Sequence, residues 1–573
     1  MKIAILADPH HHDIHGTFGA PHIAGPRLRT LADTTASTRV FNESYPAFRA
    51  ALADIAARGI RIVVIPGDVT DDGQAATVAA TMSLLDHYAT NHGMRFFATP
   101  GNHDLYSIHG RHQSKRFLSA NGSHVLFTSD SSEPQEESTA RIVTPTMHCA
   151  GYERGLPPIA RLGYFRDRRD LHWESPFGAS DRMAERTYEV RSVDGSITRT
   201  MVDASYLVEP EPGLWLLSID ANVFEPRDGA TDPVPEKAYH DSTDAGWNAM
   251  LKHKRFVLDW VRDVTARARQ EGKDLLVFSH YPMIDPLAGT LEDEIALFGN
   301  TSFARRAPRA EVARSAIAAG LRVHFSGHLH VNDTAVFREG DMALVNVAVP
   351  SLVGFPPAYK IGEFGDGMLD IETVFLDKVP GFEVAFAAYR AERARTGADY
   401  GALLEATSYP EFLSRHLSQM VAWRYLPREW PADLAEIVPR LDLGRLAALA
   451  AIDTPLATLP EGLRGLPAKP HQDWHAIPFM DLVVDWYHLR KARALAAGFV
   501  PPARLAAYDA LAALFAAGDW PVKSLQGRIA AFLRILGEYR NGQPSVDFSI
   551  DLETGAVEPR YRGRTDLRQT GSA

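Results

Sequence analysis

The chain has 573 residues, 45% of them hydrophobic and 23% charged, with a formal net charge of −11 and a single cysteine, Cys149. That length exceeds what one hydrophobic core usually serves, and the composition is that of an ordinary soluble globular protein. The acidic balance, without any block of Lys and Arg, disfavours a partner held through its phosphate backbone such as duplex DNA; one cysteine excludes an intrachain disulfide and a thiolate metal site.

Short apolar runs of strand length fall at Ile3–Ala7, Ile60–Pro66, Met94–Thr99, Leu214–Ile219, Leu275–Ser279 and Leu321–Ser326, which suits central strands buried on both faces. Helical spacing fills the intervals at Tyr45–Arg58, Ala75–Asn91, Phe256–Gln270 and Ala310–Ala319. This alternation predicts βα units around largely parallel strands, at least for the first three. The opening run is too short and wrongly flanked for a signal peptide, and nowhere do about 18 apolar residues follow one another, so no membrane span and a cytoplasmic location are expected. Further strands at Thr334–Phe337, Ala343–Val349 and Met368–Leu376 complete the β layers. From about residue 385 the text turns Ala- and Leu-rich and helical, as in Arg445–Ala451, Met480–Ala497 and Arg504–Ala516, which divides a unit 1–385 from a mainly helical unit 386–573. Ser545–Glu558 reads as a hairpin turning at Thr554-Gly555.

Polar residues punctuate the ends of the early runs. Asp8, Asp68, Asn102, His280 and His328 each fall just past the C-terminal end of one, where open α/β sheets gather their ligands, and Gly67, Gly101 and Gly327 mark the sharp turns. They belong to five segments: Asp8-Pro9-His10, Gly67-Asp68-Val69-Thr70-Asp71, Gly101-Asn102-His103-Asp104, Ser279-His280 and Gly327-His328-Leu329-His330. Together these offer carboxylate, amide and imidazole groups in the number needed for two divalent metal ions. A metal pair needs one bridging ligand, best a carboxylate, and Asp68 is the natural choice; thiolate-free ligation suits manganese, iron, zinc or magnesium, with manganese favoured. Such a pair brings a shared water towards neutral pKa, and the resulting hydroxide attacks phosphorus in line, which names hydrolysis of a phosphate ester as the reaction class.

In order and content the five segments resemble the calcineurin-like metallophosphoesterase superfamily, whose pattern is D-x-H, G-D-x-x-D, G-N-H-D/E, a lone H and G-H-x-H; the likeness spans residues 8–330 and is complete at every ligand position. The resemblance implies a four-layer α/β/β/α sandwich, here with a large insertion at 105–212. It implies that Asp8, His10 and His330 hold one metal and Asn102, His280 and His328 the other, with Asp68 between them. It also implies that His103 touches no metal but protonates the leaving oxygen or steadies the phosphoryl group, with Asp71 as the partner that fixes its tautomer and raises its pKa. Protein serine/threonine phosphatases of the superfamily follow G-D-x-x-D with Arg-Gly and G-N-H with Glu, whereas this chain has Asp72-Gly73 and Asp104 and lacks their phosphate-clamping arginine. It is more similar to the bacterial branch that includes cyclic-nucleotide and related phosphodiesterases, so a small-molecule phosphodiester is the expected substrate. The alternatives are a phosphomonoesterase, a DNA nuclease of the double-strand-break repair type and a non-catalytic scaffold.

Other residues carry less specific readings. His109, Arg111, His112, Lys115 and Arg116 form a basic stretch that either grips a substrate anion or is one solvated helix face. Asn222 is a further rim candidate. His11, His12, Asp13 and His15 read as solvated loop residues, His324 as a satisfied core histidine, and Asp104 as an orienting group or a turn cap. Tyr164, Phe165, Trp173 and Tyr206 read as core of the insertion. The C-terminal helices leave three roles open: packing on the catalytic unit, pairing subunits into a homo-oligomer, or covering the site.

Overall fold

The computed structural model describes residues 1–134, 139–233, 236–450 and 472–560. Two seven-stranded sheets organise them. In the first, β1 (Lys2–Ile5), β2 (Ile62–Ile65) and β3 (Arg95–Ala98) run parallel. The second is built on four parallel strands, β11 (Leu214–Ile219), β12 (Asp274–Ser279), β13 (Val323–Ser326) and β15 (Met342–Ala348). It is extended at its edges by antiparallel β10 (Tyr206–Glu211) and β7 (His172–Glu174) on one side and β14 (Asp333–Glu339) on the other. All six early apolar runs are therefore strands, and their unbroken hydrophobicity reflects cover on both faces.

The sheets face each other. Tyr206 donates its hydroxyl to the Ala98 carbonyl at 2.9 Å, Ser218 donates to the same oxygen at 3.3 Å, and Thr99 Oγ1 donates to the Ile219 carbonyl at 3.1 Å. Helix α1 (Ser44–Ala57) packs on α2 (Ala75–His92), which covers β3; α3 (Arg255–Glu271) covers β12 and α4 (Ala310–Ala318) covers β15. The result is an α/β/β/α sandwich. Its insertion folds as a small sheet of β4 (Ser114–Leu118), β5 (His124–Thr128) and β6 (Ala140–Val143), then a hairpin of β8 (Thr187–Arg191) and β9 (Thr198–Val202). Tyr164, Trp173 and Tyr206 are buried there, as core residues should be.

One central strand escapes the sequence reading. β16 (Ala358–Gly365) pairs antiparallel with β1 and with β17 (Met368–Phe375). It carries Lys360, fully buried, whose ammonium donates to Asn332 Oδ1, Thr373 Oγ1 and the Ser545 carbonyl at 2.8–2.9 Å. A lysine and two glycines in eight residues hide a strand that local burial and three hydrogen bonds sustain.

The helical C-terminal stretch packs into the same apolar core as the sheets. Its central helix, α6 (Phe479–Ala492), touches α5 (Tyr409–Met420) and α8 (Leu525–Asn541), with α7 (Pro502–Ala516) outside. The sequence expects α6 to continue to Ala497. Instead the backbone breaks at Arg493 (φ 50), whose guanidinium reaches Asp333 at 2.8 Å and the Pro286 carbonyl at 2.9 Å. These two buried contacts hold the side chain, and with it the strained backbone, in place. The expected helix at 445–451 runs Leu443–Leu449, with Ala451 outside the described residues. The expected hairpin forms as β18 (Phe548–Asp551) and β19 (Val557–Pro559), turning at Gly555 (φ 66), and β18 pairs with β17 to extend the first sheet.

Candidate metal centre

Asp8 and His10 leave β1, Asp68 leaves β2, Asn102 leaves β3, His280 leaves β12, and His328 and His330 leave β13, each at the C-terminal end of a parallel strand. Both sheets thus deliver polar side chains to one end of the sandwich. The loops that do so are strained. Asp8 (φ 48), His10 (φ 41), Asp68 (φ 51), His328 (φ 72) and His330 (φ 51) hold left-handed backbone, which costs on the order of 1–3 kcal/mol apiece and survives only where the surroundings enforce it. Enforcement is visible: the Asp8 carboxylate accepts the His328 N–H at 3.0 Å, Asp68 Oδ1 accepts the His103 N–H at 2.8 Å, and Ser351 Oγ donates to the Asp8 carbonyl at 2.7 Å. The motif glycines leave room for this, since a Cβ on Gly101 would strike the Asp68 carboxylate, on Gly67 the His280 ring, and on Gly327 the Asp8 carboxylate.

Two groups of ligand atoms result. Those of Asp8, His10 and His330 lie within 4.8 Å of one another, as do those of Asp68, His280 and His328, and all six residues are buried. Asp68 Oδ2 joins the groups, 3.5 Å from His10 Nε2 and 3.2 Å from His280 Nε2. Asn102 Oδ1 completes the second group 3.0 Å from His280 Nε2. Ring nitrogens crowd one another, His10 against His330 and His280 against His328, each pair at 3.2 Å. Burial holds His10 and His328 well below the usual imidazole range and lowers His330, so these rings are neutral and keep lone pairs for a cation. Burial also opposes charge on His280, but the Asp68 carboxylate raises it to about 9. His10 Nδ1 and His328 Nε2 are buried with no hydrogen-bond partner among the described residues. Convergent lone pairs, unsatisfied ring nitrogens and a shared carboxylate fit a pair of divalent cations with N/O ligation such as manganese, iron, zinc or magnesium.

His103 stands beside this centre, its ring edge-on to His10 at 5.0 Å between centroids and 23% of its side chain exposed. Its partner is Asp72, whose carboxylate meets Nδ1, and not the expected Asp71. Asp71 is fully buried between Arg29 (3.1 Å) and Arg39 (2.8 Å), which turn it away from His103. Arg39 also reaches Asp72 at 3.3 Å and lies 3.4 Å from His103 Nδ1, and Lys115 pairs with Asp72. Against the cost of burial, Lys115, then His103 and Arg39, hold Asp72 well below the usual carboxylate range.

The remaining candidates divide. Arg111 donates to the Asn102 carbonyl at 3.3 Å, and Asn222 donates to the Pro100 and Gly101 carbonyls at 3.1 Å while accepting the Tyr281 hydroxyl at 2.7 Å; both brace the Asn102 loop from behind. His109 and His112 are exposed, and the basic stretch is a loop leading into β4, not a helix face. His11 and His12, read as solvated, are buried: His11 Nδ1 meets Thr81 Oγ1 at 2.8 Å, and His12 meets the Arg27 carbonyl at 2.7 Å and stacks on Phe117. Their correction follows from the α1 and insertion segments folding over the first loop. His324 is the satisfied core histidine expected, bonded to Ser279 Oγ and Asn346 Oδ1. Asp104 orients neighbours, accepting the N–H groups of Gly101, Val69 and Thr70, and burial raises it to about 6. Sequence reasoning missed Arg39 and Asp72 at the rim and Lys491, whose ammonium donates to the Leu329 carbonyl at 2.8 Å between the two histidines of the last motif. Asp72 adjoins Asp71 and was available to the reading; Arg39 and Lys491 carry no motif.

Residues 1–172 match the family of calcineurin-like phosphoesterases. No curated protein sequence matches the chain. Among solved structures, similar chains include a dimetal phosphatase from Danio rerio (11% identity, 66% of this chain and 96% of that one, TM-score 0.35). Others are GAP50, the anchor in the inner membrane complex of Plasmodium (11%, 66% and 85%, 0.26), and a phosphopantetheinyl hydrolase from Mycobacterium tuberculosis (11%, 61% and 89%, 0.22).

Proposed function

We propose, from a calcineurin-like phosphoesterase segment that supplies the first three motifs, that this protein hydrolyses a small-molecule phosphodiester at a two-metal centre, with manganese as the ion. The carrying observation is the pair of buried His/Asp clusters joined through one oxygen of Asp68. Bound divalent cations would supply an acidified water and neutralise charge on the phosphoryl oxygens. The chain's own groups do the rest. Neutral His10, His328 and His330 and the amide of Asn102 hold the centre, with strained loops fixing their directions. Asp72 accepts the Nδ1–H of His103 and orients the ring, and it is the imidazolium form, with a second proton on Nε2, that passes that proton to the leaving oxygen and returns to the neutral ring. Arg39, Lys115 and Arg29 are each engaged with Asp71 or Asp72, so none of these three is free to clamp a dianionic monoester. A monoanionic diester suits that rim better.

Protein stripped of metal and reloaded with manganese should hydrolyse a simple aryl phosphodiester faster than the matching monoester. The reverse preference would replace diester by monoester as the substrate class. Tightly bound metal with no turnover of either would favour the scaffold reading.

A further inference from the structure

A small cavity of about 40 Å³ opens beside His328 and His330, and its far wall is made by the C-terminal helices. Tyr425 and Tyr487 form part of that wall as a stacked pair, 4.8 Å between centroids and 11° between planes. Tyr425 lies on a π-helical turn, Val421–Tyr425, of the sort that recurs at functional sites. Lys491, at the end of α6, also lines the cavity; it is 9% exposed. Among the described residues its ammonium makes one hydrogen bond, to the Leu329 carbonyl, and no ion pair. The nearby Glu294 makes no ion pair with it, both its oxygens being held by the Arg490 guanidinium at 2.8 and 2.6 Å. The remaining acid of the lining, Glu429, accepts from Ser302 Oγ at 3.3 Å. Burial, with Arg490 and Arg306 nearby, pulls Lys491 down to about 7, so its charged form beside the aromatic wall is held fully only where a ligand supplies the missing negative charge.

We propose that this cavity receives the non-scissile arm of the substrate and that the arm ends in an anionic group, a carboxylate or a second phosphate, bound by Lys491. The proposal rests on the phosphoesterase reading and deepens it. The phosphoryl group sits at the metal centre, the arm's apolar part lies along Tyr425 and Tyr487, and its terminal anion replaces solvent at the lysine. The C-terminal helices are thereby part of the substrate site and not a neighbouring module.

Dialkyl phosphinates, which cannot be hydrolysed, test this by calorimetry on the manganese-loaded full chain. One arm is kept constant and the other ends in methyl, carboxylate or phosphonate. A terminal anion should tighten binding about tenfold over methyl, and the better of the two anions identifies which source the site selects. Lys491→Met should abolish that gain and leave the methyl-ended phosphinate bound as before, while Lys491→Arg, which keeps charge and donor, should retain most of it. Equal affinity for all three arms in the native protein overturns the proposal, as does an equal weakening of all three by Lys491→Met with Lys491→Arg unaffected. Failure of the diester reading looks different: the anion dependence persists while aryl monoesters outpace diesters.

Discussion

The loops leaving β1, β2, β3, β12 and β13 build their part of the site from ionisable residues on strained backbone, with five of the ligand candidates in left-handed conformation. Helix α6 delivers Lys491 to the same place from regular backbone, 162 positions beyond the Leu329 carbonyl it bonds. The difference lies in what each region must satisfy. A cation pair dictates donor type, number and direction, so the loops admit few residue choices; a substrate arm dictates only size, polarity and charge, so the helical wall admits many. Chemistry should therefore be rigid in the loops and selectivity adjustable in the helices.

The strongest way to break that comparison is Asp68→Ala, which should strip both metals, read by metal content, and reduce diester turnover to background. His103→Ala should instead keep the metals and lower kcat by about 10²–10⁴-fold; loss of metal on His103→Ala would place that histidine among the ligands. A finer cut separates neighbouring carboxylates. Asp72→Asn should lower kcat about tenfold with metals in place, whereas Asp71→Asn, which leaves Arg29 and Arg39 short of a buried partner, should appear in denaturant unfolding as a loss of about 3–5 kcal/mol. If Asp71→Asn alone changes kcat, the assignment to Asp72 is wrong.

The smallest expected effect probes how the helical wall is docked. Glu43 is fully buried near Tyr389 and Tyr409 of the C-terminal region, and burial raises it from 4.5 to about 8. Folding therefore favours its protonated form. The stability this supplies is full below pH 4.5 and is lost as pH rises through about 8, a loss of a few kcal/mol at most. Melting temperatures should show Glu43→Gln more stable than the native chain at pH 9 and little changed at pH 5. A parallel pH dependence in both proteins would remove Glu43 from the account.

The same contrast explains what could be read before the structure. Asp8, Asp68, Asn102, His280 and His328 announce themselves because unbroken apolar runs end on them, and a strand end is a local signal. Lys491 is one basic residue in an amphipathic stretch, and only the packing of α6 against Glu294 and Asn332 shows where it points. β16 stayed hidden because Lys360 is satisfied by residues far along the chain. Asp71 was chosen over Asp72 on motif position, while the choice is made by Arg29 and Arg39, which no spacing rule links to that loop.

The hairpin of β18 and β19 closes the first sheet on the side away from β3, and β18 covers β17, which would otherwise present a bare row of backbone donors and acceptors. During synthesis the strand carrying Asp8 and His10 emerges first, yet the sheet that contains it is completed only when residues 548–559 leave the ribosome. Until then the nascent sheet has an open, sticky margin, and a proteolytic cut ahead of residue 548 would restore it. Degradation and aggregation, more than lost catalysis, are the expected fate of a chain interrupted there.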